Sequence, residues 1–128
     1  MRILLADDQD LVRDSLVILI SAYAPGAEVT GVNSLDAAMS MLKRGNRYDI
    51  AVLDLQMPGM NGFEFATQVR SGSRWRNVPM VALSSHATPE DLDRGREVGF
   101  NDYIAKFDRD ALLTSLSATL NLQREVAA

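Results

Sequence analysis

The sequence predicts an α/β fold in which a doubly wound, five-stranded parallel sheet is covered by helices on both faces. Short apolar runs of buried-strand length alternate along the chain with longer stretches whose apolar residues recur at helical spacing. The strand runs are continuously apolar, which is typical of parallel strands buried on both faces. Regular alternation of strand and helix then favours right-handed crossovers that place helices on both sides of the sheet.

The first two predicted strands are each followed by a helix. Ile3–Ala6 forms the first strand, and the helix after it covers about Asp10–Tyr23, before a Pro-Gly pair. The second strand covers Glu28–Asn33, where Val and Thr favour extended backbone. Ser34 is a suitable N-cap for the second helix, which we expect to stop before Gly45.

The central predicted strand, Ile50–Leu53, ends at a single carboxylate. Asp54 follows it directly, and the next loop contains Pro58, Gly59 and Gly62. Ligands of parallel α/β sheets collect beyond the carboxyl ends of the strands, where loops converge. Asp54 therefore occupies the position where this fold class places its chemistry.

The rest of the chain continues the alternation of helix and strand. Phe63–Val69 carries the apolar pattern of a third helix, and Met80–Leu83 is the fourth strand. Thr88 and Pro89 then provide an N-cap and a first-turn proline for a fourth helix, which ends at Gly99.

The last strand and helix complete a (βα)5 pattern. The fifth strand, Asp102–Ala105, ends at Lys106, and Asp108 caps a helix with a leucine stripe that we expect to fray from Gln123 onwards. Five such units predict the flavodoxin-like strand order 2-1-3-4-5. A chain of 128 residues fits one domain, so we expect residues 1–128 to form a single domain.

The composition argues against several classes of function. The chain has 13 Lys and Arg against 17 Asp and Glu, a formal charge of −4, which argues against direct nucleic-acid binding. It has no cysteine, so it has neither disulfides nor thiolate metal sites, which suits a reducing cytoplasm. No apolar run reaches the length of a membrane span, and the start does not read as a signal peptide. We therefore expect a cytoplasmic protein without membrane contact.

Polar side chains follow four of the five predicted strands. They are Asp7 and Asp8 after the first strand, Asp54 after the third, Ser84 after the fourth and Lys106 after the fifth. Because parallel strands end at the same end of a sheet, we expect these groups to face a single cleft. Clustered carboxylates repel each other, and Mg²⁺, which prefers oxygen ligands, relieves that repulsion. The sequence therefore predicts a Mg²⁺ site formed by the three aspartates.

This cluster also suits the transfer of a phosphoryl group. A carboxylate can attack phosphorus when a metal ion and cationic groups neutralise charge on the transferred group. Asp54 is the candidate nucleophile, and Ser84 and Lys106 have the chemistry to bind the phosphoryl oxygens. A simpler alternative for Asp7 and Asp8 is a capping pair, the commoner use of acids at a strand-to-helix turn.

Four segments, in order along the chain, carry a family resemblance. They are Ala6-Asp7-Asp8, Leu53-Asp54-Leu55-Gln56-Met57-Pro58-Gly59-Met60-Asn61-Gly62, Ala82-Leu83-Ser84-Ser85 and Asp102-Tyr103-Ile104-Ala105-Lys106. Together they resemble the CheY-like receiver domain of bacterial two-component response regulators, from Ile3 to about Leu120. Each segment is weak alone, whereas the ordered set is highly specific.

The resemblance implies a phosphoacceptor at the centre of the cluster. Asp54 would accept a phosphoryl group from the phosphohistidine of a histidine kinase or phosphotransfer domain. Asp8, Asp54 and the backbone carbonyl of Gln56 would ligate Mg²⁺, and Asp7 would act mostly through water. The protein would then be no enzyme but a phosphoacceptor that assists its own phosphorylation and dephosphorylation.

The resemblance also implies a switch. Ser84 and Lys106 would bind the phosphoryl group, and Tyr103 would be the rotating aromatic that reports it. We expect phosphorylation to alter the face made by the fourth helix, the fifth strand and the fifth helix, where an unknown protein target would bind. Gln56 and His86 are expected to flank the path of attacking water, and so to tune the lifetime of the phosphoryl group.

Two features depart from the usual receiver pattern. The family commonly has a proline after the lysine, often with a cis bond, whereas Phe107 follows Lys106 here. The segments Val98–Phe100 and Lys106–Arg109 look like receivers attached to chemotaxis kinases or coupling proteins, whereas Met1–Leu19 looks like those of DNA-binding regulators. A natural mosaic and an engineered chimera both fit this mixture.

Other functions compete with that of a regulator with its own output. A phosphate sink, or a receiver of a hybrid kinase, would share every motif but lack the change at the output face. An aspartate-nucleophile phosphatase of the haloacid dehalogenase kind needs a second acid two residues after the nucleophile, where this chain has Gln56. A flavin-binding module would need hydroxyls and free amides after the first strand, where this chain has Asp7-Asp8.

Overall fold

The protein forms five parallel strands that alternate with five helices in the part of the chain that the structure describes. The structure is a computed structural model and describes residues 2–45, 47–55, 62–72, 76–84, 88–106 and 108–127, with the backbone alone for 120–127. The elements are β1 (Arg2–Ala6), α1 (Asp10–Tyr23), β2 (Glu28–Val32), α2 (Leu35–Lys43), β3 (Ile50–Asp54), α3 (Gly62–Ser71), β4 (Met80–Ser84), α4 (Pro89–Val98), β5 (Asp102–Ala105) and α5 (Arg109–Ala127). The sheet order is β2-β1-β3-β4-β5, so the predicted fold class and strand order are confirmed.

Each face of the sheet carries its own hydrophobic core, which explains the continuously apolar strands. All residues of β3 and β4 are buried. On one face, Ile20 of α1 and Leu112 and Leu116 of α5 pack against strand residues such as Val52. On the other face, the core joins residues of α2 and α3 to the strands, including Leu35, Leu42, Phe65 and Val69. Burial on both faces is what distinguishes parallel from one-sided antiparallel sheets.

Helix ends lie where the sequence placed them in the case of α2 and α4. The hydroxyl of Ser34 accepts a hydrogen bond from the Ala37 N–H at 3.0 Å. Thr88 and Asp91 form a reciprocal capping box, with both hydrogen bonds 3.2 Å long. Gly99 ends α4 with a φ of +108°, a left-handed conformation that favours glycine. These local signals fix the two helices independently of the core.

Helix α5 is longer than the sequence analysis predicted. Asp108 caps it, because its carboxylate accepts a hydrogen bond from the Ala111 N–H at 3.1 Å. The helix then continues to Ala127, past Gln123, from which we expected it to fray. The segment after Gln123 contains no glycine or proline, and Arg, Glu and Ala all have favourable helix propensity.

The amino end of the sheet is closed by one arginine of α3. Arg70 Nη1 donates to the carbonyls of Arg76 and Val78, each at 2.7 Å. Its Nε donates to the Gly99 carbonyl at 3.0 Å, and its Nη2 donates to Asn101 Oδ1 at 3.0 Å. Burial lowers the pKa of Arg70. The guanidinium therefore joins α3, the start of β4 and the turn after α4 into one hydrogen-bonded unit.

Candidate functional site

Three aspartates converge at the carboxyl end of the sheet. β1 and β3 are neighbours in register, with Ala6 opposite Leu53, so Asp7 and Asp54 follow paired residues. One carboxylate oxygen from each of Asp7, Asp8 and Asp54 lies within 4.8 Å of the others. Asp7 and Asp54 are fully buried, whereas Asp8 is exposed. The cluster thus has a buried floor and one side chain at its solvent-facing rim.

Lys106 brings a single ammonium into this cluster. It follows β5, and its Nζ donates a hydrogen bond to Asp54 Oδ2 at 2.8 Å. The same Nζ lies 3.5 Å from Asp7 Oδ2, and the lysine side chain is only 7% exposed. Its backbone N–H donates to the Ser84 carbonyl at 2.6 Å, which holds the strand-end loop of β5 against β4.

Among the described residues, the cluster carries more negative than positive charge. Burial raises the pKa of Asp7, and the charge of Asp54 raises it further, against the Gln9 N–H and Lys106, which lower it. Burial lowers the pKa of Lys106, but the hydrogen bond and charge of Asp54 and the charge of Asp7 outweigh it, so that pKa is raised. Three carboxylates facing one ammonium favour the binding of a further cation.

One buried carboxylate oxygen has no hydrogen bond within the described residues. Asp7 Oδ1 accepts from the Gln9 N–H at 2.9 Å, but Asp7 Oδ2 has no hydrogen-bonded partner. The 3.5 Å separation between Asp7 Oδ2 and Lys106 Nζ is an attraction between charges rather than a good hydrogen bond. A buried charged oxygen in this state is costly. A hard cation with oxygen preference, such as Mg²⁺, fits this donor set.

The alternative role of Asp7 and Asp8 as a capping pair finds little support in the geometry. Gln9 occupies the N-cap position of α1 and makes no side-chain capping hydrogen bond. Asp7 accepts from the Gln9 N–H and so stabilises the turn that precedes the helix. The carboxylates of the pair contribute to the cluster with Asp54 instead.

The two predicted switch residues lie on neighbouring strands. Ser84 is the last residue of β4, is 5% exposed and pairs with Ala105. Tyr103 lies in β5 opposite Ala82 and is buried in the core on the α4 side of the sheet. A Cβ on Gly95 of α4 would lie 2.8 Å from Tyr103 Cδ2, so α4 approaches the ring closely.

Three other predicted positions, Gln56, His86 and Phe107, lie outside the described residues. The Gln56 carbonyl as a metal ligand and the effect of Gln56 and His86 on phosphoryl lifetime stay predictions. The conformation of the Lys106–Phe107 bond also lies outside the described residues.

Sequence reasoning missed Arg13, which contacts the site from α1. Its Nη1 donates to the Asp7 carbonyl at 2.9 Å, and its Nη2 lies 2.7 Å from Asp10 Oδ1. The spacing of Asp10 and Arg13, three residues apart on a helix, could have revealed their pairing. The contact with Asp7 depends on the turn before α1, for which the sequence gives no register.

The fold, the acidic cluster and the strand-end lysine agree with what whole-chain comparison shows. The chain belongs to the response regulator receiver domain family, whose sequence model matches residues 3–117. It is therefore a receiver domain of a two-component system. The family assignment made from the ordered motifs is confirmed.

Similar proteins include both kinds of receiver that the sequence resembles. The sensor histidine kinase CheAY of Helicobacter pylori is 34% identical over 100 residues, which are 73% of this chain and 12% of that protein. The transcriptional regulatory protein CseB of Streptomyces avermitilis is 32% identical over 121 residues, which are 92% of this chain and 48% of that protein. The chain thus spans less than half the length of either relative.

Solved structures share the fold over nearly the whole chain. The chemotaxis response regulator CheY4 of Vibrio cholerae has a TM-score of 0.82 at 28% identity, covering 92% of this chain and 97% of that one. A response regulator from Chloroflexus aurantiacus has a TM-score of 0.83 at 26% identity, covering 94% and 97%. Among the described helices, none combines the length and the hydropathy that a membrane-spanning segment requires.

Proposed function

We propose that Asp54 accepts a phosphoryl group from a phosphohistidine of a histidine kinase or phosphotransfer domain. The observation that carries the proposal is the Lys106 ammonium, 2.8 Å from Asp54 Oδ2 in a cleft with two further carboxylates. An Asp54 oxygen forms the new P–O bond while the P–N bond breaks, and the electron pair of that bond stays on the imidazole nitrogen. The protein thereby acts as a phosphoacceptor that assists its own modification.

Asp7, Asp8 and Asp54 would hold Mg²⁺ in this proposal. The bound ion supplies the charge neutralisation that lets an anionic donor approach a carboxylate cluster. Lys106, which is hydrogen-bonded to Asp54, would bind an oxygen of the transferred group. Ser84, at the end of the next strand, has the hydroxyl to donate to another.

The experiment is phosphorylation with acetyl phosphate and Mg²⁺, followed by intact-mass measurement. The wild-type chain should gain one phosphoryl group, and the gain should vanish in Asp54→Asn and in excess EDTA. Asp14→Asn is the matched control, because Asp14 is an exposed aspartate of α1 and should leave the modification intact. Retention of the added mass in Asp54→Asn would show that another group is the acceptor.

We propose that phosphorylation is read through the face made by α4, β5 and α5. A phosphoryl group on Asp54 would give the Ser84 hydroxyl a charged acceptor, and the Tyr103 ring would turn in response. With beryllofluoride and Mg²⁺, amide chemical-shift changes should extend from the cleft to residues around Thr88–Arg94 and Tyr103–Ala111, and they should shrink in Ser84→Ala. A protein target that binds this face would change its affinity by about 1–3 kcal/mol, the usual scale of such coupling.

A receiver without its own output is the second candidate. The similarity to CheAY favours it, because that relative is a sensor histidine kinase of which this chain matches only 12%. In that case the chemical-shift changes with beryllofluoride should stay confined to the cleft. The lifetime predictions are tested separately, by timing phosphate loss in Gln56→Ala and His86→Ala.

A further inference from the structure

Arg13 is the one basic residue of α1, and its side chain contacts the turn before the helix. Its Nη1 donates to the Asp7 carbonyl at 2.9 Å, and its Nη2 pairs with Asp10 Oδ1 at 2.7 Å. The side chain is 19% exposed, in contrast to the 81% exposure of its partner Asp10. Asp10 therefore orients the guanidinium, and the other arm of the same guanidinium holds Asp7.

The path of the Arg13 side chain depends on a glycine in the neighbouring strand. A Cβ on Gly31 of β2 would lie 3.2 Å from Arg13 Cδ and 3.4 Å from its Cγ, which is tighter than ordinary contact. The absence of a side chain at position 31 therefore leaves room for the apolar stem of Arg13. A larger residue at position 31 would displace the stem without changing any charge.

The backbone of Asp7 is held on both sides by these contacts. Its N–H donates to the Val32 carbonyl at 3.0 Å, and its carbonyl accepts from Arg13. That carbonyl belongs to the peptide group that joins Asp7 to Asp8. The orientation of this peptide group sets the position from which the Asp8 side chain starts.

The Gln9 N–H supports this turn through the Asp7 side chain, but not through the Asp7 carbonyl. Gln9, the N-cap residue, makes no side-chain capping hydrogen bond. Among the described side chains, Arg13 is the donor that holds the Asp7–Asp8 peptide group. Loss of Arg13 would therefore let the peptide group rotate toward water and would move Asp8 relative to Asp7 and Asp54.

We propose that Arg13 is a positioning residue for the cation-binding pair Asp7 and Asp8, and that Gly31 provides the clearance it needs. The proposal rests on the function proposed above, in that it takes the three aspartates as the Mg²⁺ site. It predicts a property of the unphosphorylated protein, the affinity for Mg²⁺. Groups that orient the ligands of a metal contribute to affinity without touching the ion.

The test separates positioning from charge because the two effects have opposite signs. Removing a cation near three carboxylates should, through charge alone, strengthen the binding of Mg²⁺. If Arg13 positions the ligands, its loss should instead weaken the binding. The dissociation constant of Mg²⁺ is measured by NMR titration of the full chain, without phosphate, and a thermal melt checks that each variant is folded.

We expect Arg13→Ala to raise the dissociation constant about tenfold, the lower end of the range for residues that orient metal ligands. Arg13→Lys should restore part of the affinity, because an ammonium can still donate to the Asp7 carbonyl but cannot bond Asp7 and Asp10 in the same fork. Gly31→Val should weaken binding with every charge in place. The matched control is Arg44→Ala, an exposed arginine at the end of α2.

A second readout follows the turn itself. Amide hydrogen exchange at Asp8 and Gln9, measured without Mg²⁺, should accelerate in Arg13→Ala and Gly31→Val but not in Arg44→Ala. Unchanged or tighter Mg²⁺ binding in Arg13→Ala would overturn the positioning role. If the wild-type chain bound no Mg²⁺ at all, both the proposed Mg²⁺ site and the positioning role of Arg13 would be overturned. If Mg²⁺ bound but Asp54 took no phosphoryl group, only the proposed function would fail.

Discussion

The two ends of the sheet each hold a basic side chain, but they surround it differently. At the amino end, the Arg70 guanidinium is hydrogen-bonded to neutral groups, the carbonyls of Arg76, Val78 and Gly99 and the Asn101 side chain. At the carboxyl end, the Lys106 ammonium lies among the carboxylates of the aspartate cluster.

The difference separates a structural from a functional use of charge. The contacts of Arg70 satisfy several donors at once and leave no negative charge in excess, as suits a group that joins elements. The cluster at Lys106 keeps an excess of negative charge and an Asp7 oxygen without a hydrogen bond in the described chain. Functional sites commonly retain such local costs, and the rest of the fold must compensate for them.

The largest effect on stability should come from removing the Arg70 contacts at the amino end of the sheet. Arg70→Ala should lower the free energy of unfolding by about 3 kcal/mol, because partly buried carbonyls lose a charged donor. Chemical denaturation measures the change, and Arg96→Ala, an exposed arginine of α4, should change stability little. The loss should be the same with and without Mg²⁺. A Mg²⁺-dependent loss would contradict the separation of the two ends.

Breaking the carboxyl end should give a smaller loss that depends on Mg²⁺. Lys106→Met should lower the free energy of unfolding by about 2 kcal/mol in EDTA, because buried carboxylates lose their counter-charge. Saturating Mg²⁺ should restore most of that stability by binding the same carboxylates. Denaturation curves in EDTA and in Mg²⁺ provide the comparison. Equal losses in the two buffers would mean that the ion does not bind beside Lys106.

Removing a carboxylate of the aspartate cluster should raise the free energy of unfolding, whereas removing Lys106 lowers it. Asp7→Asn should raise the free energy of unfolding by about 1 kcal/mol in EDTA, because it ends the burial of a charge and the repulsion with Asp54. Asp8→Asn should raise the free energy of unfolding by less, since Asp8 is exposed. The stabilisation that Mg²⁺ gives the wild-type chain should shrink in Asp7→Asn. Destabilisation by Asp7→Asn in EDTA would show that the cluster is not under strain.

The smallest effect on stability should come from Gly95, between α4 and the Tyr103 ring. In Gly95→Ala, crowding of the ring at 2.8 Å opposes the gain in helix propensity, so the net change should be about 1 kcal/mol or less. The Tyr103 ring signals in NMR should nevertheless shift, because the ring must move. Glu97→Ala, an exposed change on the same helix, is the control. Unmoved ring signals would show that α4 retreats instead.

Local chemistry made much of the fold predictable. Ser34, Thr88 and Gly99 mark helix ends through hydrogen bonds and dihedral angles that involve only nearby residues, and each acts as predicted. The grouping of Asp7, Asp8 and Asp54 was predictable for a topological reason, since parallel strands all end on one side of the sheet. Helix α5 continues past Gln123 to Ala127, over a segment without the glycine or proline that would mark its end.

The sequence by itself determined the order of strands and helices, the family and the set of polar groups at the strand ends. Only the tertiary structure decided which of these groups touch, for example that Lys106 lies closer to Asp54 than to Asp7. It also decided the roles of Arg13 and Arg70, whose partners include backbone carbonyls. Carbonyls are the same in every residue, so no pattern of side chains can show which of them an arginine will reach. That depends on how turns and helices pack, over separations of up to 29 residues for Arg70 and Gly99.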